Sequence, residues 1–381
     1  MSLRSRGNSR SVLSGYFGRA ALYLGLLSAG LVGVSCISRI NDVALGTVVR
    51  AGVNEVRNCC AFAALKRDGS VVTWGYYNSG GDSSSVSSRL TSGVTQIFST
   101  VGAFAALKRD GSVVTWGSSD SGGDSSSVSS RLTSGVTQIF SNSYSFAALK
   151  SDGSVVTWGD SEDGGDSSSV SSSLTSGVTQ IFSNDSAFAA LKSDGSVVTW
   201  GRDDRGGDSR SVNRGGDSSS VSSRLTSGVT QIFSTGGAFA ALKSDGSVVT
   251  WGYSDYGGNS SSVSSRLTSG VTQIFSTGGA FAALKSDGSV VTWVPNWGGG
   301  DSSSVSSRLS SGVTQIFSAG SSDGGAFAAL KSDSSVVTWG YSRGGGDSSS
   351  VSSRLSSGVV SFADPYNDNR LVPVTSMPRG L

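Results

Sequence analysis

The side chains able to carry chemistry fall into a few groups, and their spacing limits what each can do. The 381 residues contain no histidine. A serine–histidine triad, a histidine general base and a histidine metal ligand are therefore excluded. The three cysteines are Cys36, Cys59 and Cys60. An odd number with one adjacent pair gives neither a disulfide framework nor the Cys-x-x-Cys spacing of a zinc site. The adjacent pair reads as drift at a place where some sister segments carry Gly-Gly. Acidic residues recur after Gly-Gly at Asp82, Asp124, Asp166, Asp217, Asp301 and Asp347, with Asn259 in one copy. A ring of carboxylates could hold a cation, but an aspartate in this setting also closes an Asx turn on its own backbone, and that role is expected. Arginines recur at Arg89, Arg131, Arg224, Arg266, Arg308 and Arg354, with Ser173 in place of one. Each is expected to pair with a nearby aspartate or to stay solvated. No nucleophile-and-base pair, metal set or phosphate loop is visible, so no enzyme activity, cofactor or metal is expected.

A different group of residues interrupts the repeated pattern. It comprises Tyr76, Tyr77, Tyr144, Arg202, Asp203, Asp204, Arg205, Tyr253, Tyr256, Trp297, Tyr341 and Arg343. Tyrosine, tryptophan and arginine dominate the energetics of protein interfaces, which makes these twelve a candidate partner-binding set. Exposed loop tips also collect neutral variation, and the sequence leaves both readings open.

The elements that position these residues follow from a tandem repeat. Trp74, Trp116, Trp158, Trp200, Trp251, Trp293 and Trp339 each end the string SVVTW, at spacings of 42, 42, 42, 51, 42 and 46. The spacing of 51 holds an extra GGDSRSVNR between Gly206 and Arg214, and that of 46 a longer loop from Ala319 to Gly325. One unit offers four short strands, exemplified by Val229 to Ser234, Ala238 to Lys243, Ser247 to Gly252 and, weakest, Ser260 to Leu267. Valine, isoleucine, phenylalanine, threonine and tryptophan suit a pleated, half-buried surface. Asp-Gly joins the second strand to the third in six units, and it marks a hairpin because both residues tolerate positive φ. The last unit has Asp333-Ser334 instead, so its hairpin is expected to be the least well formed. Alternate strands run in opposite directions, so the first-to-second and third-to-fourth loops, where the units differ most, share one end.

Seven all-strand units of about 42 residues predict an all-β fold, a seven-bladed β-propeller, with an open β-solenoid as the other arrangement. The closing fragment Gly358 to Phe362 could complete a sheet shared by the two ends. The string AALKSDGSVVTWG, with its Gly-x-Val-x-x-Trp-Gly core, resembles the repeat of the regulator of chromosome condensation family over roughly Gly52 to Phe362. Trp293 departs from it, being followed by Val294. The resemblance implies a seven-bladed propeller, with units closer to the compact blades of bacterial propellers of the β-lactamase inhibitory type.

Residues 1–44 carry Arg4, Arg6, Arg10 and Arg19 before an apolar stretch from Ala20 to Ile37. Such a segment fits a signal peptide or uncleaved anchor, with an organelle transit peptide second. The expected organisation is thus this segment, a propeller at 45–363 and a tail at 364–381. Net charge is +2, from 29 basic and 27 acidic residues, so no nucleic-acid partner is expected. The functional expectation is a non-catalytic scaffold that binds a protein through loops on one face. The alternatives are a regulator resembling a guanine-nucleotide exchange factor, as the resemblance implies, and an extracellular adhesin or lectin that binds glycans. The membrane would be met only through the N-terminal segment.

Overall fold

The computed structural model describes residues 58–208, 221–293, 298–321 and 324–362. The N-terminal segment (1–44), the tail from residue 364, most of the GGDSRSVNR insertion and Trp297 lie outside the described residues. Seven antiparallel sheets follow one another along the chain, six of three strands and the first of two. They are the blades of a seven-bladed β-propeller, numbered here 1 to 7. Blade 1 holds Ala61–Leu65 and Val71–Gly75. Blade 2 holds Val94–Ser99, Ala103–Lys108 and Val113–Gly117, each strand beside its sequence neighbour.

Period-two alternation divides every blade into two apolar faces. In blade 2, Phe104, Ala106, Val114 and Trp116 face back onto Ala61 and Leu90 of blade 1. Ala103, Ala105, Leu107 and Val113 face forward onto Phe146 and Trp158 of blade 3. Phe104 lies opposite Trp116 across the strands, and their rings stack at 5.4 Å. Such a pair adds about 1 kcal/mol beyond the area it buries. The alanines let the next blade's aromatic pair come close, at the packing density of a protein interior. Six clusters of this composition join blades 1 and 2 through blades 6 and 7.

The fourth segment of each unit is not a strand. Ser261–Arg266 and its equivalents are 3-10 turns. Asn259 Oδ1 accepts the Ser261 N–H at 2.9 Å, and the Ser264 hydroxyl donates to the Ser261 carbonyl at 2.9 Å. Serine competes in this way for backbone groups that a sheet ladder would use. The expected Asx turns are formed, as at Asp82 with Ser84 and Asp124 with Ser126. The arginines find neither aspartate nor solvent alone. Arg89 Nη2 donates to the Val113 carbonyl of the next blade at 2.8 Å, and the same bond recurs from Arg131, Arg224, Arg266 and Arg308. In return Lys108 Nζ donates to the Arg89 carbonyl at 3.1 Å. The side chains staple one blade to the next because the turn ends against the neighbour's third strand.

Only one residue of each Asp-Gly pair has positive φ. In blade 3, Gly153 takes φ +76°, while Asp152 Oδ1 accepts both the N–H and the hydroxyl of Ser154. Glycine is required there twice over, because a Cβ at Gly153 would lie 2.7 Å from the Gly177 nitrogen at the start of blade 4. The Asp333-Ser334 hairpin is as fully bonded as the rest. Ser334 donates to the Lys331 carbonyl and Lys331 to the Ser335 carbonyl, both at 2.9 Å. The missing glycine shows up as strain instead: Ser334, at φ 64°, is the one non-glycine with positive φ among the described residues.

Gly358 to Phe362 does not complete the first sheet, whose order is Ala61–Leu65 beside Val71–Gly75 among the described residues. It continues from blade 7 along the path each inner first strand takes. Val359 donates to the Ser334 carbonyl as Val94 does to that of Gly69, and the Phe362 ring meets Phe317 at 4.4 Å. Among the described residues one face of blade 1 is exposed: Trp74 is 50% exposed, against 2% for Trp116.

Ser334→Gly is expected to stabilise the protein by about 1 kcal/mol by relieving the left-handed strain. Gly153→Ala should cost roughly 2–3 kcal/mol through strain and the displaced neighbour. Denaturant unfolding of both variants checks this. The turn aspartates Asp110, Asp152, Asp194, Asp245, Asp287 and Asp333 all lie below the usual carboxylate range because the serine two residues on donates twice, and Asp68 is held down to about 2. The unfolded chain binds protons first as pH falls from about 4. Stability from these turns is therefore present above pH 4 and lost as pH drops through the folded values, which melting temperatures measured from pH 6 to pH 2 should show.

Candidate functional site

The variable loops share one end of the blades, and a repeated latch holds them together. In blade 3 the Asn142 side chain accepts the N–H groups of Tyr144 and Ser145, at 3.0 and 2.7 Å, and donates to the Asp163 carbonyl in the loop after the third strand. Asn58 and Asn184 do the same, and Thr100, Thr235 and Thr277 do so with a hydroxyl. Backbone bonds then link the loops of successive blades. Cys59 donates to Val101, Val101 to Ser143, Ser143 to Asp185, Asp185 to Gly236 and Gly236 to Gly278. The result is a backbone platform on which the differing side chains stand. The latch escapes a search for unusual residues because it is itself part of the repeat.

Blades 4 and 5 bring six of the candidate residues together. Arg202, Asp203, Asp204 and Arg205 occupy the loop after the third strand of blade 4, where Arg202 Nε meets Asp204 Oδ1 at 3.2 Å. The Arg205 guanidinium reaches into blade 5 and lies 5.2 Å from the ring centres of both Tyr253 and Tyr256. Those rings are 5.7 Å apart. They fit because the adjoining positions are Gly236 and Gly237: a Cβ on Gly237 would lie 2.7 Å from Arg205 Nη1 and 3.1 Å from the Tyr256 ring. Asp185 borders the same group, with its Oδ2 2.9 Å from the place of a Cβ on Gly236. Burial pushes the Asp185 carboxyl up, and the Arg205 charge partly offsets this.

The same geometry recurs one blade earlier. Asp163 occupies the position of Arg205 in its unit and turns toward Ser186 and Arg202 of blade 4. Burial raises its carboxyl, the Ser186 hydrogen bond and the Arg202 charge lower it, and Asp160 and Glu162 raise it further. In blades 3 and 4 the residue before Gly-Gly, Asp163 and Arg205 respectively, thus addresses the following blade. Asp163 and Asp185 are absent from the candidate set drawn from residue type alone.

The remaining candidates stand elsewhere on this end. Tyr76 and Tyr77 of blade 1 are exposed, with their rings 5.1 Å apart. The Tyr76 N–H donates to the carbonyl of Cys60, which forms a vicinal disulfide with Cys59. The adjacent cysteines are therefore a bonded pair, because consecutive residues at this loop bring their sulfurs together. Tyr144 is exposed on blade 3, and Tyr341 and Arg343 are exposed on blade 7, Tyr341 against Gly324. Trp297 lies outside the described residues. No group of three cysteine, aspartate or glutamate side chains able to hold a metal occurs among the described residues.

No family model matches the chain, and no curated protein matches it. Solved structures of similar fold include human WBSCR16, at 18% identity and TM-score 0.36, covering 62% of this chain and 74% of that one. Prp20p of Saccharomyces cerevisiae, from a study of its binding to Gsp1p and histones, has 16% identity and TM-score 0.34 over 65% and 72%. The ectodomain of the Physcomitrella patens receptor kinase CR4 has 14% identity and TM-score 0.35 over 74% and 69%. The propeller assignment rests on the seven sheets and their order.

Asn142→Ala leaves two buried N–H groups and one carbonyl without a partner and should cost about 2–3 kcal/mol. Hydrogen exchange should quicken at Tyr144 and Ser145 before it changes in the strands.

Proposed function

We propose that this propeller is a non-catalytic scaffold that binds a protein partner through its loop face, centred on blades 4 and 5. The observation that carries the reading is Arg205 held between Tyr253 and Tyr256 across a blade boundary. Arginine and tyrosine are the residue types on which protein interfaces concentrate their energy. A guanidinium already stacked on two rings loses little freedom on binding, which favours affinity. Arg202 and Arg205 stand beside Asp185, Asp203 and Asp204, so charge is nearly balanced locally, as it is over the chain at +2. Such a patch selects through ring contact and directed hydrogen bonds more than through bulk attraction. Tyr144 extends it over blade 3, since Ser143 donates to the Asp185 carbonyl.

The full chain and its Arg205→Ala/Tyr253→Ala/Tyr256→Ala variant would be used in parallel for capture with crosslinking and mass spectrometry. A protein held by the wild type should lose affinity by about 100-fold or more in the variant, with the melting temperature little changed. Equal affinity for both chains would move the site off blades 4 and 5. Binding of the wild type to a glycan array, lost in the variant, would replace the protein partner with a sugar stacked on the tyrosines.

A further inference from the structure

The contact between consecutive blades has fixed parts. The following blade contributes a stacked Phe–Trp pair, and the preceding blade contributes a glycine carbonyl beneath it. Trp116 Nε1 donates to Gly80 at 3.0 Å, and Trp158, Trp200, Trp251 and Trp293 do likewise to Gly122, Gly164, Gly206 and Gly257. The following blade's lysine donates to the preceding arginine's carbonyl, and that arginine's guanidinium donates to the following blade's valine carbonyl. Apolar side chains fill the space between, among them Val86 and Leu90 of the preceding turn.

Blade 1 carries the following-blade half of this contact with nothing among the described residues against it. Phe62 and Trp74 stack at 5.1 Å, as in every blade, yet Trp74 is 50% and Val72 49% exposed. Lys66, lacking a preceding carbonyl, turns to Asp68 at 3.3 Å. Blade 7 carries the preceding-blade half, equally uncovered. A Cβ on Gly80 would lie 2.6 Å from the Phe104 ring, whereas Gly345, the equivalent glycine at φ 100°, has nothing within 4 Å. Val351, the equivalent of Val86, is exposed. Among the described residues Arg354 has no valine carbonyl to meet, while its five sister arginines each have one.

We propose that these two faces bind each other between copies of this chain: blade 1 of one molecule seats on blade 7 of the next, head to tail. The match is specific. Trp74 Nε1 meets the Gly345 carbonyl, Lys66 Nζ meets the Arg354 carbonyl, and the Arg354 guanidinium meets the Val71 carbonyl. Each pairing is one the chain already makes between its own blades, so the proposed contact continues an interface that this sequence forms six times. The two faces differ, so the contact is heterologous and adds molecules in one direction. Half-exposed tryptophan and valine on one end, with exposed Val351 on the other, supply the apolar surface that association would cover.

The test uses the full chain and two variants altered at exposed positions, a front variant (Val72→Asp) and a rear variant (Val351→Arg), with circular dichroism to verify folding. Should Val72→Asp fail to fold, Trp74→Ala takes its place. Sedimentation equilibrium of the wild type should show mass rising with concentration beyond a dimer. Each variant alone should remain a monomer, and an equimolar mixture should give dimers and nothing larger, because one intact front meets one intact rear. A wild type that stays monomeric at all concentrations, through closure of blade 7 on blade 1 within one chain or cover by its own ends, overturns the proposal. Assemblies that survive both substitutions overturn it as well.

Discussion

Everything in this protein depends on one packing contact, a stacked phenylalanine and tryptophan pressed against the alanines and glycines of the blade before it. The pair is large and flat, so its partner face must be small. That is why the second strand reads Ala-Phe-Ala-Ala-Leu: its alternate residues show aromatic bulk backward and small surface forward. The tryptophan's N–H, buried by this arrangement, requires an acceptor, and the carbonyl of the first glycine in the preceding unit's Gly-Gly pair supplies it. In blade 7 the Trp339 Nε1 lies buried without a partner, next to the unit whose tryptophan is followed by Val294. The burial of the pair holds even where the hydrogen bond is missing, which ranks apolar packing above it.

The same contact separates stability from recognition. Strands, arginine staples and hairpin turns are engaged blade to blade and leave little freedom for substitution. The loops at one end are fastened by asparagine or threonine through backbone groups, so their other side chains can differ without cost to the fold. Arg205, Tyr253 and Tyr256 use that freedom. In blades 3 and 4 the residue before Gly-Gly points across the blade boundary, so a change in one unit alters the surface of the next. Two glycines at 236 and 237 open the space that the two rings and the guanidinium occupy.

Much of this was legible in the residues. The tryptophan spacing gives the number of blades, and the parity of the strands places the two variable loops on one end. The fourth segment reads equally as a weak strand or a 3-10 turn, because Ser-Ser-Val-Ser-Ser has no periodicity to distinguish them and the Asx contact that decides it is local hydrogen bonding. The arginine staple could not be read because its acceptor, a valine carbonyl 24 residues away, belongs to the neighbouring blade. Asp333-Ser334 pointed to a faulty hairpin, but the bonds persist and the penalty appears as a left-handed serine.

By itself, then, the sequence determined the repeat, the strands, the hairpins and the absence of histidine chemistry, because each depends on residue type within one unit. The tertiary structure decided which residues act together. Arg205 meets tyrosines that lie 48 and 51 positions further on, and Asp185 joins them. Among the described residues it also leaves the outward faces of the first and last blades exposed. Contacts between units depend on how one blade stacks on the next, and a pattern that repeats within each unit does not record the terminal faces that lack a neighbour.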